Sequence, residues 1–165
     1  MDISTVLPLI LSAANDELKY SIGKSPARVG LVPSAIAWDE CDTCGLLALS
    51  INRFFLTDQF PIEASTSDAC EGGVLAADMI MQIIRCAPQP AGDGKSLAPT
   101  TDALNNSALM IIDDAKRIMC SVLEQLRSLL LNNDIVDYMI RQQLFVGPEG
   151  ACVGSELQFV VGVNR

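Results

Sequence analysis

The sequence contains no histidine, and this absence removes several kinds of chemistry at once. A neighbouring histidine is the usual activator of a serine or cysteine nucleophile, and it is a usual ligand of catalytic zinc. The chain therefore cannot build a Ser-His or Cys-His nucleophile or the usual zinc hydrolase site.

Long apolar runs and an excess of basic residues are missing as well. No stretch approaches the roughly 18 to 20 apolar residues that a membrane-spanning helix requires, and the start at Met1–Ile3 lacks the basic flank of a secretory signal. The formal net charge is −9, with 20 acidic against 11 basic residues. Because phosphate binding draws on clustered Lys and Arg, sequence-specific DNA binding is not expected. We expect a protein that folds in a cytoplasm without membrane association.

The apolar content is high enough to form one core. The chain has 165 residues, of which 50% are hydrophobic and 19% are charged, and a domain of this size needs neither disulfides nor a metal to fold. We predict a single domain over residues 1–165. Proline and glycine predict loops at 20–35, 57–73 and 87–100.

Hydrophobic periodicity predicts the elements between these loops. Apolar residues at helical spacing indicate two helices, and alternating ones indicate four strands. In chain order the predicted elements are a helix over Ile3–Leu18, strands over Leu46–Leu56 and Val74–Cys86, a helix from Asp102 to Leu131 or two shorter helices with a bend, and strands over Tyr138–Val146 and Leu157–Val163. This order predicts an α+β domain with a four-stranded, largely antiparallel sheet, covered by an N-terminal helix and a long central helix.

The segment Val74–Cys86 is ambiguous by propensity, because several of its residues are good helix formers. Its odd positions are apolar throughout the central part, whereas Asp78 and Gln82 both fall on even positions. Alternation of this kind favours a strand with one polar face.

The six cysteines leave three interpretations open; they are Cys41, Cys44, Cys70, Cys86, Cys120 and Cys152. Buried free thiols are favoured, because a chain this long and apolar needs no disulfide scaffold. A zinc-stabilised binding module would need Cys41 and Cys44 to meet further cysteines in space, since the sequence has one CxxC only. A structural disulfide is the third interpretation.

Neighbouring carboxylates are the remaining candidates for catalysis. Asp113 with Asp114, and Asp39 with Glu40, have the oxygen ligands that Mg²⁺ prefers. We predict that Asp113 and Asp114 lie on the solvated face of the long helix, which makes a small Mg²⁺-dependent enzyme the less favoured alternative. No catalytic residue, cofactor or metal ligand is predicted.

Several short segments resemble a family of small structural proteins of actinobacterial tailed phages, whose genes lie among those for head–tail connectors and tail completion. The matching pieces occur in the same order over roughly residues 35 to 165. They are Ala37–Cys41, Cys44–Leu47 before a strand, Phe60–Pro61 after it, Ile84–Pro88 at the end of the next strand, and Gly147–Cys152 before the last strand.

The element order also resembles that of tail terminators, and this implies a non-catalytic role. Such a protein forms a homo-oligomeric ring, expected to be a hexamer, that caps the tail tube of a siphophage and meets the head-to-tail connector or stopper. The implied partners are other copies of the chain, the major tail tube protein and the connector, with DNA passing through the lumen without specific binding. The implied location is the head–tail junction of the virion, after assembly in the host cytoplasm.

The resemblance implies interface residues in the loops of the sheet. We predict contacts at Trp38 and Asp39, at Phe60 and Pro61, and at the turn of Gly147, Pro148 and Glu149. Trp38 is the only tryptophan, and it is either a packing residue or an interface anchor. A head-to-tail stopper or another neck connector is the alternative within the same neighbourhood, although stoppers are more often small β-barrels.

Overall fold

The computed structural model of the protein describes residues 1–34, 45–64, 73–90 and 98–163. Two helices and five strands lie in these ranges, and all seven elements are listed here in chain order. They are α1 (Ile3–Leu18), β1 (Arg28–Val32), β2 (Leu46–Thr57), β3 (Val74–Cys86), α2 (Thr101–Leu131), β4 (Asp137–Glu149) and β5 (Cys152–Val163).

The strands form one mixed sheet in the order β1-β2-β3-β5-β4. β1 pairs with β2 in parallel, and every other neighbouring pair is antiparallel. The α+β class is confirmed, but the prediction of a four-stranded, largely antiparallel sheet is wrong by one strand. Arg28–Val32 falls in the predicted 20–35 loop, where Gly30 and nearby prolines obscured a short aliphatic run. An edge strand tolerates such residues because only one side of it is paired.

Both helices begin at capping residues. The Asp2 side chain accepts a hydrogen bond from the backbone N–H of Ser4 at the start of α1. Thr100 accepts one from the N–H of Ala103 at the start of α2, which runs without interruption to Leu131. Such caps satisfy backbone donors that have no partner within the helix. The prediction for α1 is confirmed, and the long segment forms one helix rather than two.

The main core lies between the two helices and one face of the sheet. Odd-numbered residues of β3 and β5 point to this face, as the buried Met79, Met81, Leu157 and Phe159 show. α1 and α2 contribute their apolar stripes to the same cluster. A smaller cluster of Phe55, Ala76 and Val160, with Phe60 and Met139 packed on it, lies on the opposite face.

The β4–β5 hairpin defines one end of the sheet. β4 continues to Glu149 and β5 begins at Cys152, so Gly147, Pro148 and Glu149, which were predicted as a turn, belong to the end of β4. Gly147 has φ +103°, and a Cβ there would lie 2.8 Å from the carbonyl oxygen of Cys152, so only glycine fits. We call this the hairpin end, and we call the opposite end, where β2 and β5 finish, the far end.

Within the described ranges, neither helix is long and apolar enough to cross a membrane.

Replacing Phe159 with alanine should destabilise the fold strongly, because this ring is fully buried in a central strand. We expect the free energy of unfolding to fall by about 3–5 kcal/mol, the usual cost of removing a buried aromatic ring. Urea denaturation measures the change. The matched control is Phe54→Ala, which removes an exposed ring from β2. Similar losses in the two variants would contradict the assignment of the core.

Candidate interaction surfaces

An open apolar cleft of about 660 Å³ lies at the hairpin end, between the start of α2 and the β4–β5 hairpin. α2 contributes Leu104, Ser107, Ala108, Ile111 and Ile112 to its lining. The facing wall consists of Phe145, Val146, Gly147, Pro148, Val153 and Gly154, and Ala87, Pro88 and Pro99 complete it. None of the described lining residues is charged, so this part of the cleft can receive apolar groups without desolvating a charge.

Among the described residues, the first part of α2 is poorly buried beside the cleft. None of the residues 101–110 is buried, whereas buried positions recur along the helix from Ile111 onward. Leu104, Leu109 and Ile112 are consequently large apolar side chains left exposed. A cluster of such side chains beside a concave wall is typical of an interaction site.

A buried ion pair fixes α2 over the end of β3. Arg85 Nε donates to Asp114 Oδ2 at 2.8 Å, and the two side chains are 4% and 0% exposed. Arg85 also donates from Nη2 to the carbonyl oxygen of Lys24 at 2.7 Å, and Ser21 Oγ donates to Asp114 Oδ1. The charges are thus paired and hydrogen-bonded, as buried charges must be. The network joins three separate parts of the chain.

The prediction that Asp113 and Asp114 both lie on the solvated face is wrong for Asp114. Asp114 follows Ile111 by three residues and precedes Ile118 by four, so both buried side chains are its neighbours on the helix surface. Its carboxylate is occupied by Arg85 and Ser21. Such a group is not available to bind Mg²⁺ in the arrangement described.

Asp113 is partly exposed and holds the segment after α1. The backbone N–H of Ile22 donates to Asp113 Oδ2 at 2.9 Å, and Arg117 pairs with the same carboxylate at 3.1 Å. The hydrogen bond from Ile22 is the main reason that the pKa of Asp113 is lowered from its ordinary value. Arg117 also reaches Glu17 at 2.7 Å, which ties α2 to α1.

The face of the sheet turned away from the helices carries paired polar side chains. Arg141 Nη1 donates to Asp78 Oδ2 at 2.8 Å, and Arg53 approaches the same carboxylate at 3.6 Å. A second pair joins Gln82 Nε2 to Glu156 Oε1 at 2.6 Å. The alternation that predicted β3 as a strand with one polar face is therefore confirmed in its side-chain contacts.

The predicted interface residues do not form one site. Gly147 and Pro148 line the cleft and Glu149 is exposed beside them, all at the hairpin end. Phe60 and Pro61 follow β2 at the far end, where Phe60 packs partly buried on the second cluster. Trp38 and Asp39 lie outside the described residues. The structure thus separates the described candidates into two groups at opposite ends of the sheet.

The thiols differ from the predicted pattern of buried free cysteines. Cys152 is buried and disulfide-bonded, so it cannot act as a thiolate ligand for zinc. Cys120 is an exposed free thiol on α2. Cys41, Cys44 and Cys70 lie outside the described residues. Among the residues that are described, no group of three His, Cys, Asp or Glu side chains is placed to hold a metal ion.

The sequence did not reveal that apolar residues are exposed on the two edge strands of the sheet, β1 and β4. Val29 and Leu31 on β1 are exposed, as is Phe145 on β4. Leu104 lies at the helical spacing of the buried stripe of α2, which includes Ile111 and Ile118, but the structure leaves it exposed at the cleft. The available signal was Leu109 and Ile112, two large apolar residues outside that stripe.

Comparisons with known proteins give little guidance. No protein-family model matches the chain, and no curated protein matches it significantly. Among solved structures, the chain is similar to the sheath/tube terminator, in the extended state, of PVC, an extracellular contractile injection system. The identity is 12% and the TM-score 0.27, over 100% of this chain and 58% of that one. The chain thus spans under two thirds of that protein's length, and a likeness this weak supports no argument about function.

Replacing Asp114 with alanine should be strongly destabilising, because Arg85 would then be left buried without a counter-charge. Breaking one side of a buried ion pair costs about 3–5 kcal/mol in the free energy of unfolding. Chemical denaturation of the variant measures the loss.

The matched control is Asp113→Ala, which removes the adjacent and more exposed carboxylate. A partly exposed ion pair contributes about 1 kcal/mol or less, so this variant should lose far less stability. Equal losses in the two variants would contradict the expectation that the buried ion pair contributes more to the free energy of unfolding than the exposed one.

Proposed function

We propose that the chain is a structural protein of a tailed-phage neck, a tail terminator that forms a ring on the end of the tail tube and joins it to the head connector. The observation that carries the proposal is the ordered set of segments that resemble the phage neck family, from Ala37–Cys41 to Gly147–Cys152. The mechanism would be self-limiting assembly, in which a closed ring offers one face to each partner.

The distribution of candidate surfaces supports a role between two partners. The apolar cleft lies at the hairpin end, and Phe60 and Pro61 lie at the far end. In a ring whose axis runs along the strands, these two ends would form its opposite faces. Each face would then carry its own contact surface, as a protein between a tube and a connector requires.

The fold supports the terminator over the stopper, and the charge suits either kind of ring. An open five-stranded sheet with two helices on one face differs from the small barrel that is more usual for stoppers. The net charge of −9 would keep passing DNA from binding to the ring, because acidic surfaces repel phosphate.

The direct experiment is a cryo-EM reconstruction of virions that carry this chain. We expect a ring of six copies on the end of the tail tube. A ring of twelve copies, or a ring placed against the portal, would replace the terminator with a connector or stopper. Absence of the chain from the particle would overturn the structural role altogether.

A second experiment tests whether the two ends of the sheet serve two partners. Ile112→Asp puts a charge into the cleft, and Ile62→Asp puts the same charge beside Pro61 at the far end; both positions are exposed. We expect each variant to lose binding to one partner only, and not to the same one, when purified protein is sedimented with tail tubes or with connectors.

The control for this experiment is Leu9→Asp, which places an identical charge at an exposed position on α1. It should keep both interactions. The two-faced arrangement would be wrong if Ile112→Asp and Ile62→Asp abolished binding to the same partner, or if neither changed any binding.

A further inference from the structure

The sheet has two open edges among the described residues. β1 pairs with β2 on one side only, and β4 pairs with β5 on one side only. Each edge strand therefore presents a row of backbone N–H and C=O groups that another strand can bind.

The regular part of the β4 edge matches β1 in length. The pairing of β4 with β5 is irregular between Ile140 and Gln142 and again between Val146 and Glu149. Irregularities of this kind disrupt the ladder and turn an edge away from new partners. Between them lies a regular segment, Gln142–Val146, whose five residues equal the five of β1.

The two edges also match in register. Val32 lies opposite Ser50, Ser50 opposite Ile80, Ile80 opposite Gln158, and Gln158 opposite Gln142. The same tracing from Arg28 passes through Leu46, Ile84 and Gly154 and ends at Val146. The whole of β1 therefore occupies the same rows of the sheet as the regular segment of β4.

Side chains on the two edges are complementary. Val29 and Phe145 share one row and both belong to the face that the helices cover, yet they are 41% and 60% exposed. At the hairpin end, β1 begins at the exposed Arg28 and the exposed Lys24 precedes it, whereas β4 ends at the exposed Glu149. Contact between the two edges would bury apolar side chains and bring unlike charges together.

The strand directions allow the contact to repeat. β1 is parallel to β2, and three successive antiparallel pairings lead from β2 to β4, so β1 and β4 run in opposite directions. Copies related by rotation about an axis along the strands keep these directions. β1 of one copy would therefore meet β4 of the next as an antiparallel pair.

We propose that copies of this chain join head to tail by extending the sheet, with β1 pairing against Gln142–Val146 of the next copy. This inference rests on the proposed ring and identifies the surfaces that would build it. The contact is heterologous, because each copy uses two different surfaces, and such contacts close into rings when the rotation fits.

Two single variants test the two surfaces. Val29→Asp places a charge on the β1 edge, and Phe145→Asp places the same charge in the same row of the β4 edge. We expect each to weaken self-association about tenfold or more in sedimentation velocity, because a carboxylate would be desolvated at the contact. Leu9→Asp, at a position 40% exposed, is the control and should associate like the wild type.

Mixing the two variants distinguishes a head-to-tail contact from a symmetric one. Each variant retains one intact edge, and these two edges are complementary. An equimolar mixture should therefore form a 1:1 dimer that grows no further, although each variant alone stays monomeric. A symmetric contact through either edge would instead leave one variant able to dimerise by itself.

Photo-cross-linking identifies the contact independently of stability. A benzoylphenylalanine at position 145 should cross-link to the partner's tryptic peptide that begins at Val29. Rings that form normally from both aspartate variants would overturn the edge pairing and leave the proposed function standing. A wild-type chain that stays monomeric both alone and on tail tubes would overturn both.

Discussion

The buried ion pair between Arg85 and Asp114 holds together the parts of the chain that define the hairpin end. Arg85 lies at the end of β3 and Asp114 in the middle of α2, so their contact sets the position of the helix along the sheet. The same pair binds the segment between α1 and β1 through Ser21 and the carbonyl oxygen of Lys24. This segment leads directly into β1, and the location of one sheet edge therefore depends on an interaction in the interior.

The local sequence around this pair is adapted to it. A Cβ on Gly23 would lie 2.8 Å from Arg85 Nη2, so a larger residue would displace the guanidinium. A Cβ on Gly45, which has φ +114°, would lie 3.1 Å from Arg85 Nη1 of the same group. Buried ion pairs contribute little net stability compared with apolar packing, but an unpaired member is costly. The network thus favours one arrangement of the segment after α1 over alternatives that would leave a charge without a partner.

The sequence alone was sufficient to predict the elements whose apolar residues recur at a regular helical or strand spacing. α1 and β3 were predicted with correct bounds, because the buried residues of α1 recur at helical spacing and the large apolar residues of β3 recur at every second position. β1 was missed because five residues with a central Gly30 give too short a pattern. Asp114 was misplaced because its burial depends on Arg85, which is 29 positions away in the chain. The cleft combines residues of α2, β4 and β5 that are far apart in the sequence, so no local pattern records it.

The length of α2 has a mechanical consequence. The helix begins beside the hairpin end and its 31 residues rise by about 46 Å, at 1.5 Å per residue, towards the far end. Its backbone hydrogen bonds run nearly parallel to that direction, so a load applied along the strands would compress or stretch them in series. Near its middle, the helix is held to β3 by the ion pair of Asp114 with Arg85 and to α1 by the ion pair of Arg117 with Glu17. α2 would therefore transmit an axial load from one end of the subunit to the other with little bending.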